Sequence, residues 1–387
     1  MMKIGLCVRY DCNNFGSMLQ ILATQKMITR FGGEYEIIRY DKKTPFFMLT
    51  NITRIFNPYF MRGKIKRLEK QFKIRRYPDI CKGNQERVRR IGEYRKKYIG
   101  PYSAVRKGYG QLVRGAEEYD AVMVGSDQLW TPAGIKSKFY NLLFVPDNVR
   151  KISFATSFGV SRIPRYQEKM TRRYLERMEY ISVREIGGAG IIRQLTGRDV
   201  LVALDPTLLY TGEEWNEMFP EEKKREQPYI FAYFLGSNAA HREAVKSWGR
   251  SIGLPVVTIP FMDEFVECDL EFGEEQLYDV DPVDFLNFIR GAEYICTDSF
   301  HGSVFSILSH KQFMTFNRTD NNDKQTSNSR IDSLFELLGL QERRYHPEIN
   351  LAGAMKKAID YNAVEEKLAG YRRETFDFLK EALGRQP

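Results

Sequence analysis

Tyr294-Ile295-Cys296-Thr297-Asp298-Ser299-Phe300-His301-Gly302 carries an apolar run of strand length into an apolar helix, predicted over Ser303 to Leu308. A strand that hands over directly to a helix is the repeating joint of an α/β sheet. In such a sheet, ligands collect outside the carboxyl ends of the strands. A helix that starts there offers free N–H groups and a partial positive charge to an anion. His301 stands at that point, where an imidazole can move protons near neutral pH and, when charged, bind phosphate. Capping or packing at the junction is the structural alternative for the same residue.

The same joint recurs on both sides. In the first half the predicted strands are 4–8, 36–40, 121–124, 151–155, 180–183 and 200–204, with helices over 17–31, closed by Gly32-Gly33, and 165–178. The second half restarts with strands at 229–235, 255–259, 294–297 and 312–316 and helices over 239–252, 282–290 and 303–308. This predicts an α/β chain of two Rossmann-like domains, 1–204 and 205–362, with a hinge near 205–228. Residues 363–387 form a helical tail that packs back on the N-terminal domain, and Trp215 is an anchor for the linker.

A length of 387 residues suits two domains, and 43% hydrophobic with 28% charged residues is the balance of a folded soluble chain. The N-terminal apolar run is too short for a signal peptide, and no stretch approaches the roughly 20 residues that span a bilayer. The expected location is cytoplasmic, with peripheral contact at the inner membrane face as a further option. Five scattered cysteines, an odd number, suggest reduced thiols rather than a disulfide framework, and no ligand cluster calls for a metal.

One segment breaks the rhythm. Between Pro45 and Gly115 there are 19 Lys and Arg against four acids, a balance of +15, while the whole chain carries +9 and the remainder is therefore net −6. Runs such as Arg62-Gly63-Lys64-Ile65-Lys66-Arg67, with Phe46, Phe47, Ile55, Phe56, Tyr59 and Phe60 upstream, read as a basic helical insertion in the N-terminal domain. Such a surface suits an anionic membrane leaflet or a pyrophosphate-linked lipid acceptor; a solvated helical arm is the structural alternative. No RNA-binding signature accompanies the charge, so nucleic acid is not expected as a partner. The segregation of charge from the motifs below predicts a segment for localisation or acceptor capture, separate from the chemical step.

Five segments in order, Asn13-Asn14-Phe15-Gly16-Ser17, Gly125-Ser126-Asp127-Gln128-Leu129-Trp130, Ser182-Val183-Arg184-Glu185, Asp205-Pro206-Thr207 and Ser299-Phe300-His301-Gly302, together resemble the polysaccharide pyruvyl transferase family. The resemblance implies a glycosyltransferase-B-like architecture and an enzyme that moves a pyruvyl group from phosphoenolpyruvate, a co-substrate rather than a cofactor, onto a sugar or lipid-linked oligosaccharide. It also implies a functional His at position 301. Many members carry a basic residue shortly before that His, whereas here Ser299 and Phe300 precede it.

Making a pyruvyl ketal requires an acid for the methylene carbon, removal of two hydroxyl protons, and a site that holds a carboxylate and a phosphate. A planar arginine fork matches both anions. His301 and Asp127 are the catalytic candidates. Donor-binding candidates are Arg184, Arg330, Asn14, Gly16, Ser17, Ser299 and Gly302. Arg330 begins a helix whose N-terminus would welcome an anion. Acceptor-binding candidates are Ser126, Gln128 and Trp130, the last as a stacking platform. Each has a structural alternative: a surface ion pair with Glu185 for Arg184, and a capped turn over a core tryptophan for the 125–130 motif. Asp205 reads chiefly as a turn residue before proline. The first loop lacks both a dinucleotide fingerprint and a Walker lysine. A nucleotide-sugar glycosyltransferase of the same architecture and a non-catalytic surface-binding protein are the competing readings.

Overall fold

The computed structural model describes residues 2–41, 61, 65, 72–135, 138–221, 225–318 and 328–384. Its first unit is a six-stranded, all-parallel sheet of β1 (Lys3–Cys7), β2 (Glu34–Ile37), β5 (Ala121–Val124), β6 (Arg150–Thr156), β7 (Tyr180–Val183) and β8 (Leu201–Val202), in the order β2-β1-β5-β6-β7-β8. A two-stranded ribbon, β3 (Tyr40–Asp41) with β4 (Arg106–Lys107), stands beside it. The second unit is also all parallel: β9 (Ile230–Tyr233), β10 (Val256–Thr258), β11 (Glu275–Gln276), β12 (Tyr294–Thr297) and β13 (Gln312–Thr315), in the order β11-β10-β9-β12-β13. Strand interiors such as Ala121-Val122-Met123-Val124 are wholly buried, as a sheet covered by helices on both faces demands.

Each sheet has one point where the strand order reverses, between β1 and β5 in the first and between β9 and β12 in the second. Loops leaving those strands at their carboxyl ends open a crevice at each reversal. In the first unit these loops carry Asn13–Ser17 and Gly125–Trp130. In the second unit Asp298 stitches the reversal, accepting from the backbone N–H of Leu235 at 2.7 Å and of Gly236 at 2.8 Å.

The helices begin on the signals their sequences carry. Asn14 caps α1 (Phe15–Arg30) by accepting from the Ser17 N–H. Asp281 and Asp284 form a capping box on the helix Pro282–Gly291, with proline at its first turn. The helix Phe300–Leu308, capped by Ser299, starts three residues earlier than expected, so His301 lies inside its first turn. A helix over Ile186–Thr196 is absent from the sequence reading because Gly187, Gly188 and Gly190 weaken its propensity. Buried Ile191, Ile192 and Leu195 and a left-handed cap at Gly197 (φ 73°) hold it.

The helix Tyr361–Ala382 runs across the linker and the first unit. Arg372 Nε donates to the Leu208 carbonyl at 2.8 Å and Thr375 Oγ1 accepts from the Leu204 N–H. Trp215 is fully buried and donates to the Thr207 carbonyl. One apolar cluster runs unbroken from β1 and α1 through the linker into β9, the 300–308 helix and Leu368 and Leu379 of this C-terminal helix.

The described part of the basic segment packs on the fold and does not stand apart. The runs at 46–60, 62–64 and 66–67 lie outside the described residues. Its later part is a helix, Pro78–Tyr98, laid against both units: Arg90 pairs with Asp281 at 3.0 Å and Asp284 at 2.7 Å. Its charge is spent on internal partners as well as solvent.

Candidate active site

The two reversals face one another, and the side chain that crosses between them is His301. Its ring lies directly on the backbone of α1: a β-carbon at Gly16 would fall 2.2 Å from Nδ1 and 2.3 Å from Cγ of the imidazole. Glycine is required there because any side chain would evict the ring. The Gly16→Ala protein is expected to fold with His301 displaced and stability reduced by about 1–3 kcal/mol. Its turnover should fall nearly as far as on losing the histidine, as parallel melting curves and initial rates would reveal.

Asp205 lies beneath His301. One carboxylate oxygen caps the turn Pro206–Leu209, accepting from the Thr207 N–H at 3.1 Å and its hydroxyl at 2.6 Å, and sits 3.7 Å from His301 Nε2. The other accepts from Arg184 at 2.7 Å and from the Ser126 hydroxyl at 2.7 Å. The second arm of the Arg184 fork reaches Asp127 at 3.3 Å, and Ser17 Oγ donates to Asp127 at 2.7 Å. The guanidinium groups of Arg184 and Arg330 both lie on the Phe300 ring, 4.7 and 5.7 Å from its centre.

These contacts set the charge states. Burial alone would raise the Asp127 carboxyl, but Arg184, His301, the Ser17 hydroxyl and Arg330 outweigh it and hold it at about 2. Asp205, also opposed by burial, is held well below the usual carboxylate range by His301, Arg184 and Thr207. Arg330 shows the reverse balance. Burial, with Arg184 and Arg318 nearby, pushes it down to about 9, and no carboxylate among the described residues pairs with it. Asp127 also has φ 93°, an unfavourable backbone angle for a residue with a side chain, held by its bridge to Thr156.

The resulting cavity measures about 160 Å³. Its first-unit wall is Arg9, Cys12, Asn14, Ser17, Asp127 and Gln128. Across it stand Leu235, Phe261, Asp263, Ser299, Phe300, His301, Arg318 and Arg330. Among the described residues, His301 Nε2 and the Nε atoms of Arg318 and Arg330 are buried without a hydrogen-bond partner. Three arginines against two carboxylates give a cationic pocket.

Of the sequence candidates, the structure brings His301, Asp127, Asn14, Ser17, Ser299, Gln128 and Arg330 to this cavity, with Gly16 as the seat of the His301 ring. Four others do not line it. Arg184 is sealed beneath it, 1% exposed, with the two ends of its fork held by Asp205 and Asp127. Ser126 is buried with its hydroxyl committed to Asp205. Trp130 is a core residue, packed on Phe158 and Tyr174 with its indole N–H donated to the Tyr140 carbonyl, so it offers no face to a sugar. Gly302 packs on Thr297, and its N–H is taken by the Ser299 cap. Arg9, Arg318, Asp263 and Phe300 line the cavity without having been singled out. A cationic residue just after a predicted strand, as Arg9 and Arg318 are, was the available signal. Among the described residues no group of His, Cys, Asp or Glu could hold a metal, and no helix is long and apolar enough to cross a membrane.

Two parallel-sheet units facing across a cleft at their strand reversals define a glycosyltransferase-B-like α/β fold. The same fold is found in the S. aureus MnaA–UDP co-structure (12% identity, 99% of this chain and 97% of that chain, TM-score 0.54). It also occurs in a UDP-N-acetylglucosamine 2-epimerase structure from Listeria monocytogenes (12% identity, 96% of each chain, TM-score 0.50). The polysaccharide pyruvyl transferase profile matches residues 14–321, and the chain belongs to that family of enzymes. No curated protein sequence matches it significantly.

Proposed function

We propose that the protein transfers the pyruvyl group of phosphoenolpyruvate to two hydroxyls of a sugar in a glycan precursor, forming a ketal. The observation that carries this reading is Arg330, a buried guanidinium with no carboxylate partner among the described residues, facing a small cationic cavity beside His301. A buried unpaired cation is costly unless an anion completes it. The cavity is below the ~300–1,000 Å³ usual for larger ligands, a scale that favours a compact dianion with a carboxylate over a nucleotide sugar.

In this reading Arg330 and Arg318 hold the donor's phosphate and carboxylate, with Arg9 on the opposite wall. Protonated His301 delivers its proton to the methylene carbon, which becomes a methyl group as positive charge develops at C2. A sugar hydroxyl adds to C2 and passes its proton to the His301 imidazole, restoring the one given to the methylene carbon. The C2–O bond to phosphate then breaks, and a second hydroxyl closes the ketal, its proton leaving on the departing inorganic phosphate. Asp205 holds the imidazolium in place. Asp127, at about 2, is too weak a base to pull a hydroxyl proton effectively near neutral pH; it steadies positive charge and can accept a hydrogen bond from the acceptor. Arg184 acts through these carboxylates and not by touching the donor.

Thermal denaturation with added ligands tests the reading. Phosphoenolpyruvate at one hundred times its Kd should stabilise the protein by about 2.7 kcal/mol, whereas UDP and GDP should leave Tm unchanged. A shift with a nucleoside diphosphate and none with phosphoenolpyruvate would replace the proposal with a nucleotide-sugar glycosyltransferase.

A further inference from the structure

The helix Pro78–Tyr98 carries a cation that the chemistry above does not use. Arg87 is 2% exposed, and among the described residues no carboxylate forms a salt bridge with it. Instead its guanidinium donates to three backbone carbonyls of the second unit, Pro260, Leu277 and Tyr278, each at 2.8 Å. It also lies 5.9 Å from the centre of the Phe15 ring, the first residue of α1. Gly83, one turn earlier, lets the helix lie flush on Tyr278. Two turns later, Arg95 donates to the Cys12 carbonyl at 2.9 Å.

These contacts fall on both walls of the cavity. The Pro260 carbonyl directly precedes Phe261, two residues before Asp263, and Cys12, itself in the cavity wall, belongs to the loop that ends at the α1 cap Asn14. Arg87 and Arg95 are eight residues apart, about 12 Å along one rigid helix. We propose that this helix is a gauge that sets the width of the donor cavity, with Arg87 holding the second-unit wall and Arg95 the first-unit wall as positioning residues. The three carbonyls are the anchor for the cation: burial pushes Arg87 down to about 10 and leaves it charged at neutral pH. A lysine at position 87 keeps the charge but cannot reach three acceptors set around a planar fork.

The proposal rests on the cavity being the phosphoenolpyruvate site. Calorimetric Kd values for phosphoenolpyruvate, with kcat and KM, would be measured on wild type, Arg87→Lys, Arg95→Ala and the control Arg89→Ala, whose side chain is exposed on the opposite face and pairs with Glu86 and Glu93. Arg87→Lys and Arg95→Ala should each weaken donor binding by about tenfold or more, with kcat at saturation nearly unchanged. Millimolar guanidinium should restore binding to Arg95→Ala, and Arg89→Ala should match wild type. Wild-type Kd in folded Arg87→Lys and Arg95→Ala would overturn the gauge alone. If Arg87→Lys fails to fold, Arg95→Ala, only half-buried, decides the matter. A wild-type protein that takes up no phosphoenolpyruvate would overturn the gauge together with the site reading.

Discussion

Replacing His301 with alanine is expected to lower turnover by about 10²–10⁴-fold while the protein remains folded. The imidazole is the group to which the proposed mechanism assigns the proton for the methylene carbon, and its position is held from three sides. The α1 backbone supports it at Gly16, Asp205 lies 3.7 Å from Nε2, and Phe300 meets it edge-on. Removing it exposes space and ends the 3.7 Å approach to Asp205, but Nε2 has no hydrogen-bond partner among the described residues to lose. Phosphoenolpyruvate binding should therefore persist with a modest loss. Initial rates beside a binding isotherm separate the outcomes, and near-normal turnover in the folded variant would reduce His301 to a packing residue.

Asp205→Ala should be the most destabilising single change at this centre, costing about 3–5 kcal/mol. Arg184 and Asp205 are 1% and 0% exposed, and removing the carboxylate leaves the buried guanidinium with the longer contacts to Asp127 and the Ser126 hydroxyl, each at 3.3 Å. Chemical denaturation of Asp205→Ala, Arg184→Met and the double variant provides the check, because a buried pair makes the double change cheaper than the sum of the singles. The acid limb of stability should reflect the same centre. Asp127 at about 2, and Asp205 also depressed, bind fewer protons in the folded than in the unfolded chain below the ordinary aspartate value of about 3.9. Their contribution is complete above about pH 4 and is lost as the pH falls toward 2. Asp205→Ala should flatten that slope.

How far the sequence could be read depended on whether a residue's role is local. Strands 121–124, 180–183 and 294–297 announce themselves as apolar runs and occur where expected. The two-residue strand Glu275–Gln276 has no period to detect, and the helix after Glu185 is masked by its glycines. At the site, loop positions were legible as a set, but their facing was not. Motif context cannot distinguish a tryptophan that stacks on a sugar from Trp130, which plugs the core. Asp205 was read as a turn residue, and one of its oxygens is that. The other binds Arg184, 21 residues earlier in the chain. Charge counting likewise treats each arginine of the basic segment as solvated, whereas Arg87 is satisfied by carbonyls about 190 residues further along.

The unbroken apolar cluster bears on how the chain is made. Ring contacts such as Phe15 with Phe285, 5.4 Å apart, and Phe31 with Phe376, 5.8 Å apart, join the beginning of the polypeptide to segments synthesised much later. When residue 204 leaves the ribosome, every strand of the first sheet has been made, but its α1 side still lacks the cover that Tyr361–Ala382 provides. At about 5–20 residues per second, that cover arrives roughly ten to thirty seconds later. For that interval the nascent protein presents a half-dressed sheet to its surroundings, so its yield in a cell should depend on holding chaperones more than the stability of the finished fold would suggest.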